Sequence, residues 1–522
     1  MFFSLKDNVS YEETGTKYKR DREYAGLWVS GDSFCRFTAV YAEQAGDDRK
    51  CKIFVFPEYY AGAGGFCGAG CTVAEDPGRT DNETDVEETD VFMLLYLVSA
   101  IFSYGISPCR EDVLLGYPGW YMGLVTQGLL VGIYFAVSRY YDGSRSIWWI
   151  AGITAGIVTL IGLLNRLDID VLGTFRGMEN GEWNRTQLLS TIGNNNWYAG
   201  YISVTAGISL AAAFMGKQQV RALGLLGSFL FFASAITSNS TTAILAACGL
   251  SLLLLLLSLR KRGRLLRALE ILMLLPLSVF MVRMFLLLHL TGLVLAGDAE
   301  KRLFFTPAWY VVFVVEVAVY LILQLRERQE RSDRLESGRV FRTVVGLAVA
   351  VTLAALLLGC LLVAGYLPGS DKVSEVANGR LALWKVTILT YGKEGLLFQI
   401  FGMGPDSFYY ALYQWGSDAM DWINRGLLDN NIYSNAHNEW LTLLVQQGIL
   451  GVIAYGGIFL TAFRNLRISA TRDPRALAVF LGLTGYLICS LFTFQHVLST
   501  PFAFALLGMA EGVLCKVILI KF

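Results

Sequence analysis

The chain has 522 residues, of which 54% are hydrophobic and 16% are charged, and its mean hydropathy is +0.48. Soluble domains usually carry about 25% charged residues, so this composition excludes an ordinary soluble globular protein. The net charge is zero, which gives no sign of nucleic-acid binding, and the nine scattered cysteines do not form a disulfide framework.

The first 89 residues differ from the rest of the chain. They are mixed and polar, with a glycine-rich stretch at 61–65 and an acidic stretch at 83–90, and their pattern predicts no cleavable signal peptide. We therefore expect 1–89 to be a poorly ordered or atypical cytoplasmic segment. Residues 90–522 are predicted to form the transmembrane domain.

Hydrophobic runs of about 18 or more residues recur from residue 90 to the end. They predict an all-α polytopic membrane protein with about 12 transmembrane helices. The predicted spans are 91–106, 119–138, 146–164, 197–215, 222–238, 242–259, 268–295, 307–325, 343–366, 440–460, 476–494 and 500–517.

Arginine and lysine residues cluster in alternate connections between these spans, most densely at 260–267, 326–342 and 464–475. The positive-inside rule assigns such connections to the cytoplasm. Both termini are then cytoplasmic, in a multi-pass protein of the plasma membrane. The remaining connections, including the long ones at 165–196 and 367–439, are extracytoplasmic.

The two long loops are rich in Trp, Tyr, Asn and Asp. The second is a large extracytoplasmic loop between two late helices, and long loops inside a compact domain are often functional. Such side chains suit stacking on sugar rings and hydrogen bonding to hydroxyls. The alternative is a solvated linker with aromatic residues at the membrane interface.

Two residues of the 367–439 loop are candidate catalytic groups. His437, one of three histidines, directly precedes a hydrophobic span, where it can accept a proton from a hydroxyl near neutral pH. Arg380 begins a stretch with helix-like alternation, and its planar guanidinium suits phosphate oxygens. The structural alternatives are a helix cap or interfacial residue for His437 and a lipid-headgroup contact for Arg380.

Several further polar residues are predicted on the same face and are candidates for substrate binding. They are Arg185, Asn194, Asn196, Ser240, Asn438 and Glu439. Asparagine is also a favoured helix N-cap, and an acidic residue favours the first turn of a helix, so structural roles stay open for them.

One pair of carboxylates, Asp168 and Asp170, has a spacing that could help to hold a divalent cation. No histidine or further acid supports it, and a solvated loop is the preferred interpretation. No metal site is therefore predicted. Arginine in place of a metal ion favours a reaction in which a lipid diphosphate is the leaving group.

Four stretches together resemble the O-antigen ligase family, which includes glycan ligases, related polymerases and protein O-oligosaccharyltransferases. Gly193–Gly200 is similar to the family's Gly-Asn-x-Asn stretch, and Gly379–Trp384 is similar to its arginine loop. Gly402–Phe408 is similar to its Gly-x-Gly-Pro turn. Ala436–Glu439, followed by Gly448–Gly451, is similar to its His-Asn and Gly-x-x-Gly motifs. Their order and spacing agree with the family across roughly 90–510.

The resemblance implies a helical membrane glycosyltransferase that uses neither a metal nor another cofactor. The donor would be a glycan on a polyprenyl diphosphate, and the acceptor a glycan, a lipid or a protein. The family's loop arginine corresponds to Arg380 and its histidine to His437. Membrane lipids are the other expected partners, and nucleic acid is not one.

The chain departs from the family at one point. Family members usually carry another arginine just before the span that begins here near Thr242, where this chain has Ser238-Asn239-Ser240-Thr241. Either phosphate binding is shared with Arg185 or Arg176, or the activity is altered.

Three classes of function remain open from the sequence. The first is transfer of a lipid-linked glycan by a ligase or a polymerase, which differ only in the acceptor. The second is a flippase or exporter of lipid-linked sugars, which would favour polar groups in the middle of several spans. The third is a non-catalytic assembly partner, in which His437 would be replaceable.

Overall fold

The computed structural model describes residues 88–178, 183–259, 261–288, 306–329, 380–414 and 432–512, strands within 2–60 and short pieces between 421 and 428. The chain divides into two compact units, Met1–Val86 and Glu87–Phe522. They are described separately below. The predicted span 343–366 lies outside the described residues.

The N-terminal unit contains an antiparallel sheet of five strands. The strands are β1 (Phe2–Leu5), β2 (Tyr24–Gly31), β3 (Phe34–Gln44), β4 (Cys51–Val55) and β5 (Tyr59–Tyr60). They pair in the order β1-β2-β3-β4, and β5 pairs with β3. Strands were not among the elements predicted for 1–89.

The second unit is helical apart from one short strand pair, β6 (Leu188–Leu189) and β7 (Gly193–Asn194), in its described part. Its helices are α1 (Glu88–Ile106), α2 (Arg110–Leu115), α3 (Leu124–Tyr140), α4 (Arg145–Arg166), α5 (Trp183–Gln187), α6 (Asn195–Met215), α7 (Gln218–Thr237), α8 (Thr241–Ser258), α9 (Arg262–Leu272), α10 (Leu274–Leu287), α11 (Ala308–Gln329), α12 (Arg380–Lys393), α13 (Leu396–Phe401), α14 (Phe408–Tyr413), α15 (Glu439–Ser469), α16 (Pro474–Ser490) and α17 (Thr500–Glu511).

Eight stretches within the described residues are long and apolar enough to cross a membrane. They comprise α1, α4, α6, α7, α8, the α9–α10 pair, α11 and α15, and α16 is a shorter apolar helix. The protein is therefore an all-α polytopic membrane protein in its second unit, as predicted. The count of 12 spans stays a prediction.

Small residues let the central helices approach one another closely. Helix α6 packs on α16 where the Cβ position of Gly485 is 2.3 Å from the Ser203 carbonyl oxygen and that of Gly207 is 2.3 Å from the Ala478 carbonyl oxygen. Any larger side chain there would displace backbone. Close backbone packing at small residues is typical of helix association in membranes, where water does not drive the helices together.

Helix α1 runs antiparallel to α15. Near one end Thr89 donates a hydrogen bond to Thr461 (2.8 Å), and near the other Ser103 donates one to the Gln446 carbonyl (2.7 Å). The end of α1 and the loop that follows it therefore lie beside the start of α15. This end of the bundle carries the candidate site.

Candidate functional site

The loop that carries His437 is held by local hydrogen bonds on both sides of the residue. The His437 backbone N–H donates to Asn435 Oδ1 (3.0 Å), and the Ala436 N–H donates to Thr442 Oγ1 (3.0 Å). His437 itself adopts a left-handed backbone conformation with φ of 47°, which is uncommon for a residue other than glycine. The surrounding bonds fix the backbone of His437 at the start of α15.

Helix α12 begins at Arg380, as predicted, and its first turns lie beside this loop. The indole N–H of Trp384 donates to the Ala436 carbonyl (3.1 Å). Among the described residues, no ion pair or hydrogen bond engages the Arg380 guanidinium, and burial lowers its pKa. Arg380 is thus a half-buried cation that an anion could still pair with.

Burial and the charge of Arg380 both act on His437. They lower the pKa of the imidazole from 6.5 to about 4, with burial as the larger cause and Arg380 as the second. The ring is therefore uncharged at neutral pH and has a free lone pair for a hydroxyl proton. The structure brings the two predicted catalytic residues within electrostatic range of each other.

An open pocket lies next to His437. Neither His437 nor Arg380 lines it, but Asn435 and Glu439 on either side of the histidine do, and the Phe494 ring in its wall lies 5.8 Å from the imidazole centroid. The other described lining residues are Trp120, Met122, Asp406, Ser434, Thr442, Leu443, Gln446 and Gln495.

Helix α15 is interrupted shortly after the residues that line this pocket. Gly448 has φ of 66° inside the helix, so the carbonyls before it are free to accept other donors. The Val445 carbonyl accepts from the Met403 N–H (3.1 Å) and the Gln446 carbonyl from the Gly404 N–H (2.9 Å). The glycine-rich turn that resembled the family's Gly-x-Gly-Pro motif is therefore docked on the interrupted helix.

Asn438 and Glu439 are both engaged by protein groups. The Asn438 side chain caps α15 by accepting from the Leu441 N–H (3.0 Å) and donates to the Leu491 carbonyl (3.0 Å). Glu439 is 2% exposed and accepts hydrogen bonds from the Tyr455 and Tyr486 hydroxyls. Asn438 thus has a capping role, whereas Glu439 also faces the pocket.

The Asn194–Asn196 stretch forms the start of α6. Asn194 caps the helix by accepting from the Asn196 N–H (2.8 Å), and Asn196 Oδ1 accepts from Ser240 Oγ (2.9 Å). These candidates hold two helix ends together. The adjacent Trp197 ring lies 5.3 Å from Trp120 and 5.9 Å from His496, so this stretch borders the wall of the pocket.

Arg185 is paired within the 165–196 loop. Its guanidinium forms an ion pair with Asp168 and lies over the Phe175 ring, with the Cζ atom 5.1 Å from the ring centroid. Asp170 accepts from the N–H groups of Thr174 and Phe175 at 2.8 and 2.7 Å. The two carboxylates of the Asp-x-Asp pair therefore have separate structural partners.

A different arginine, Arg166, forms a hydrogen bond to the turn before α8, where the family arginine is absent. Arg166 is fully buried, and its guanidinium donates to the carbonyls of Thr186 (2.7 Å) and Ser238 (3.1 Å). It ties the end of α4 to the 165–196 loop and to the turn before α8. Nothing in the sequence pattern distinguished it from a residue at the end of a span.

Asp406 is the most notable site residue that the sequence left unassigned. It is 5% exposed and lines the pocket, and its Oδ2 accepts from the N–H groups of Tyr117 (2.8 Å) and Met122 (3.0 Å). Burial raises its pKa to about 7 against the effect of these two hydrogen bonds. Its place in the glycine-rich motif was the one available signal.

Residues 303–456 match the O-antigen ligase family model. The match confirms the resemblance and includes Arg380, the glycine-rich turn and His437, whereas the Gly193–Gly200 stretch lies outside it. No curated protein matches the chain. Together with the apolar helices, the match supports a multi-pass membrane protein with a glycosyltransferase-like function that involves a lipid-linked glycan donor and an acceptor.

Proposed function

We propose that the protein transfers a glycan from a polyprenyl-diphosphate donor to an acceptor hydroxyl at the extracytoplasmic face of the plasma membrane. One observation carries this proposal. Arg380, a cation without a partner among the described residues, begins the helix that is hydrogen-bonded to the His437 loop, and its charge lowers the pKa of the imidazole. An anion-binding group and a proton acceptor are the two parts that this reaction needs.

In the proposed reaction Arg380 binds the diphosphate and stabilises the negative charge that develops on it. The acceptor hydroxyl attacks the anomeric carbon, the bond from that carbon to the diphosphate oxygen breaks, and the hydroxyl proton passes to His437. The lipid diphosphate leaves with the electron pair of the broken bond. A direct displacement of this kind inverts the anomeric centre.

The proposed catalytic groups belong to the chain itself. Asp168 is paired with Arg185 and Asp170 accepts two backbone hydrogen bonds, so both carboxylates already have structural roles. Arginine supplies fixed positive charge without a metal ion. We therefore propose a metal-independent reaction, with a glycan, lipid or protein as acceptor.

The test is glycan transfer in proteoliposomes from a polyprenyl-diphosphate donor, with and without a chelator. We expect His437→Gln and Arg380→Gln each to lower kcat/KM at least 100-fold, the order of effect for loss of a general base or a charge-stabilising donor. Arg467→Gln, on an exposed arginine near the far end of α15, is the matched control and should keep wild-type transfer.

The outcomes separate the classes of function. Full transfer by either site variant would refute the site assignment, and loss of transfer with chelator would refute metal independence. Movement of the lipid-linked sugar across the bilayer without transfer would indicate an exporter. The nature of the accepted hydroxyl, on a growing glycan or on another carrier, would distinguish a polymerase from a ligase.

A further inference from the structure

The pocket beside His437 is lined by aromatic, amide and carboxylate side chains, and neither proposed catalytic residue is among them. We propose that it is a subsite for an uncharged sugar ring, with Trp120 as its aromatic wall and Asp406 as the residue that positions Trp120. The proposal rests on the proposed glycan transfer. The observations that carry it are the fixed position of Trp120 and the hydroxyl and amide groups of the lining.

The loop that carries Trp120 is fixed by a distant carboxylate. Asp406 Oδ2 accepts hydrogen bonds from the N–H groups of Tyr117 and Met122, which flank Trp120 on both sides. Gly116, with φ of 98°, allows the approach, because a Cβ atom there would be 2.5 Å from Asp406 Oδ2. The Trp120 ring is further held against Phe494, with centroids 4.8 Å apart.

The polar lining suits hydroxyl groups. Ser434, Asn435, Gln446 and Gln495 offer hydroxyl and amide groups that can both donate and accept, as a sugar hydroxyl requires. A half-buried tryptophan beside such groups presents an apolar surface to the C–H face of a ring. The mixed lining is thus complementary to a ring that is polar at its edge and apolar on its face.

The charge of the lining excludes the diphosphate from this pocket. Its described lining residues include two carboxylates, Asp406 and Glu439, and no lysine or arginine. A diphosphate would meet acidic groups here, whereas Arg380 lies outside the lining. The pocket therefore takes a neutral sugar, while the donor's diphosphate is left to Arg380.

Two sugars share this chemistry, the acceptor's and the donor's own glycan. The pocket is lined by the neighbours of His437 on both sides, so either sugar would hold a hydroxyl or a glycosidic carbon near the imidazole. The transfer assay separates the two sources. Variation of acceptor concentration at saturating donor, and the reverse, gives a KM for each substrate.

The first experiment compares Trp120→Ala with Trp149→Ala, a control on a half-exposed tryptophan of α4. We expect Trp120→Ala to raise one of the two KM values roughly tenfold, the order expected for loss of an aromatic contact, with kcat largely kept. A raised KM for the acceptor assigns the pocket to the acceptor sugar, and a raised KM for the donor to the donor glycan. Unchanged values for both would overturn the proposal.

The second experiment tests Asp406 as a positioning residue. Asp406→Ala removes the acceptor of two backbone hydrogen bonds and should raise the same KM as Trp120→Ala. Asp406→Asn keeps an acceptor oxygen, so its KM should lie close to the wild-type value. Combination of Asp406→Ala with Trp120→Ala should add little, because both changes remove one contact. Full additivity, or failure of Asn to restore the KM, would contradict the positioning role.

A binding measurement keeps this proposal distinct from the proposed catalysis. The purified His437→Gln protein in detergent is titrated with neutral oligosaccharides of glucose, galactose and N-acetylglucosamine, and the heat of binding is followed by isothermal titration calorimetry. Saturable binding that Trp120→Ala abolishes and Trp149→Ala keeps supports the subsite even if no transfer is detected. Absence of saturable binding, or binding that survives Trp120→Ala, overturns it.

Discussion

At the scale of single residues, the site illustrates what residue type can and cannot reveal. His437 stands out in the sequence as one of three histidines, and Arg380 stands out through its likeness to the family's loop arginine. Asp406 does not stand out, since its partners Tyr117 and Met122 are more than 280 positions away. Its role depends on a tertiary contact that no local pattern contains.

The ionisation of His437 gives a prediction for the pH dependence of transfer. The folded pKa of about 4 lies below the value of 6.5 for an ordinary histidine. We expect kcat/KM, which reports the free enzyme, to stay constant down to about pH 4 and to fall below it as the ring gains a proton. An acid limb near pH 6.5 would contradict the burial of His437.

The effect of Arg380 on the pKa of His437 also predicts the pH at which kcat falls. Arg380 lowers the pKa of His437, and a bound diphosphate would compensate the arginine charge. The acid limb of kcat, which reports the enzyme–substrate complex, is therefore expected at higher pH than that of kcat/KM. Superimposed limbs would show that the diphosphate does not bind at Arg380.

The free energy of unfolding should also depend on the protonation of His437. Between pH 4 and 6.5 the unfolded chain binds a proton at this histidine and the folded chain does not, so this contribution to stability rises with pH across that window. It is fully present above pH 6.5 and is lost as the pH falls through 4. His437→Gln should remove this part of the pH dependence of unfolding.

At the scale of elements, the hydropathy pattern predicted where most of the described membrane helices lie, but it did not predict the break inside α15. Ten of the predicted spans overlap helices α1, α3, α4, α6, α7, α8, α11, α15, α16 and α17 closely, and the eleventh, 268–295, overlaps α9 and α10. The break in α15 at Gly448 was not predicted, although the motif Gly448–Gly451 was noted. An interruption inside an apolar run does not change the hydropathy of that run, so hydropathy cannot locate it. The break becomes visible only in the structure, where the turn at Gly402–Gly404 bonds to the freed carbonyls.

The break leads to a prediction for Gly448→Ala. A Cβ atom there would be 2.3 Å from the Ile400 carbonyl oxygen, and the backbone φ of 66° disfavours any L side chain. We expect a loss of about 1–3 kcal/mol in the free energy of unfolding from the backbone conformation alone, with more from the clash. Thermal unfolding in detergent measures it, together with loss of transfer as the turn at Gly402–Gly404 moves.

Gly456→Ala is the matched control on the same helix. Its Cβ atom would meet only Trp440, at an ordinary contact distance of 3.7 Å. Replacement of a helical glycine by alanine there should leave stability unchanged or raise it by up to about 1 kcal/mol. Equal effects of the two substitutions would show that α15 is continuous through Gly448.

At the scale of the whole molecule, the bundle has two unlike ends. The candidate site lies at the start of α15, while the far end of this 31-residue helix leads to a connection rich in arginine, with Arg464, Arg467, Arg472 and Arg475. At 1.5 Å per residue the 21 residues that follow the break at Gly448 rise roughly 32 Å, enough for a hydrocarbon thickness of about 30 Å. The two ends must therefore lie on opposite sides of a membrane that α15 crosses.

This asymmetry supports a prediction of sidedness that the sequence alone could make only from charge. The positive-inside rule assigns the arginine-rich end to the cytoplasm and so His437 to the extracytoplasmic face. Ile432, 70% exposed near the site, and Arg472, exposed at the far end, are suited to cysteine substitution. We expect Ile432→Cys to react with an impermeant maleimide in intact cells and Arg472→Cys to react only after permeabilisation.

The native cysteines do not confound this measurement, because labelling is compared with the parent chain under each condition. Permeabilisation with detergent should make both introduced cysteines reactive, which shows that neither is buried by the substitution. Protection of Ile432→Cys in intact cells, with Arg472→Cys exposed, would invert the topology. The donor and acceptor would then have to be sought in the cytoplasmic leaflet, since the charge of Arg380 and the ring of His437 stay at the same end of the bundle whichever side that end faces.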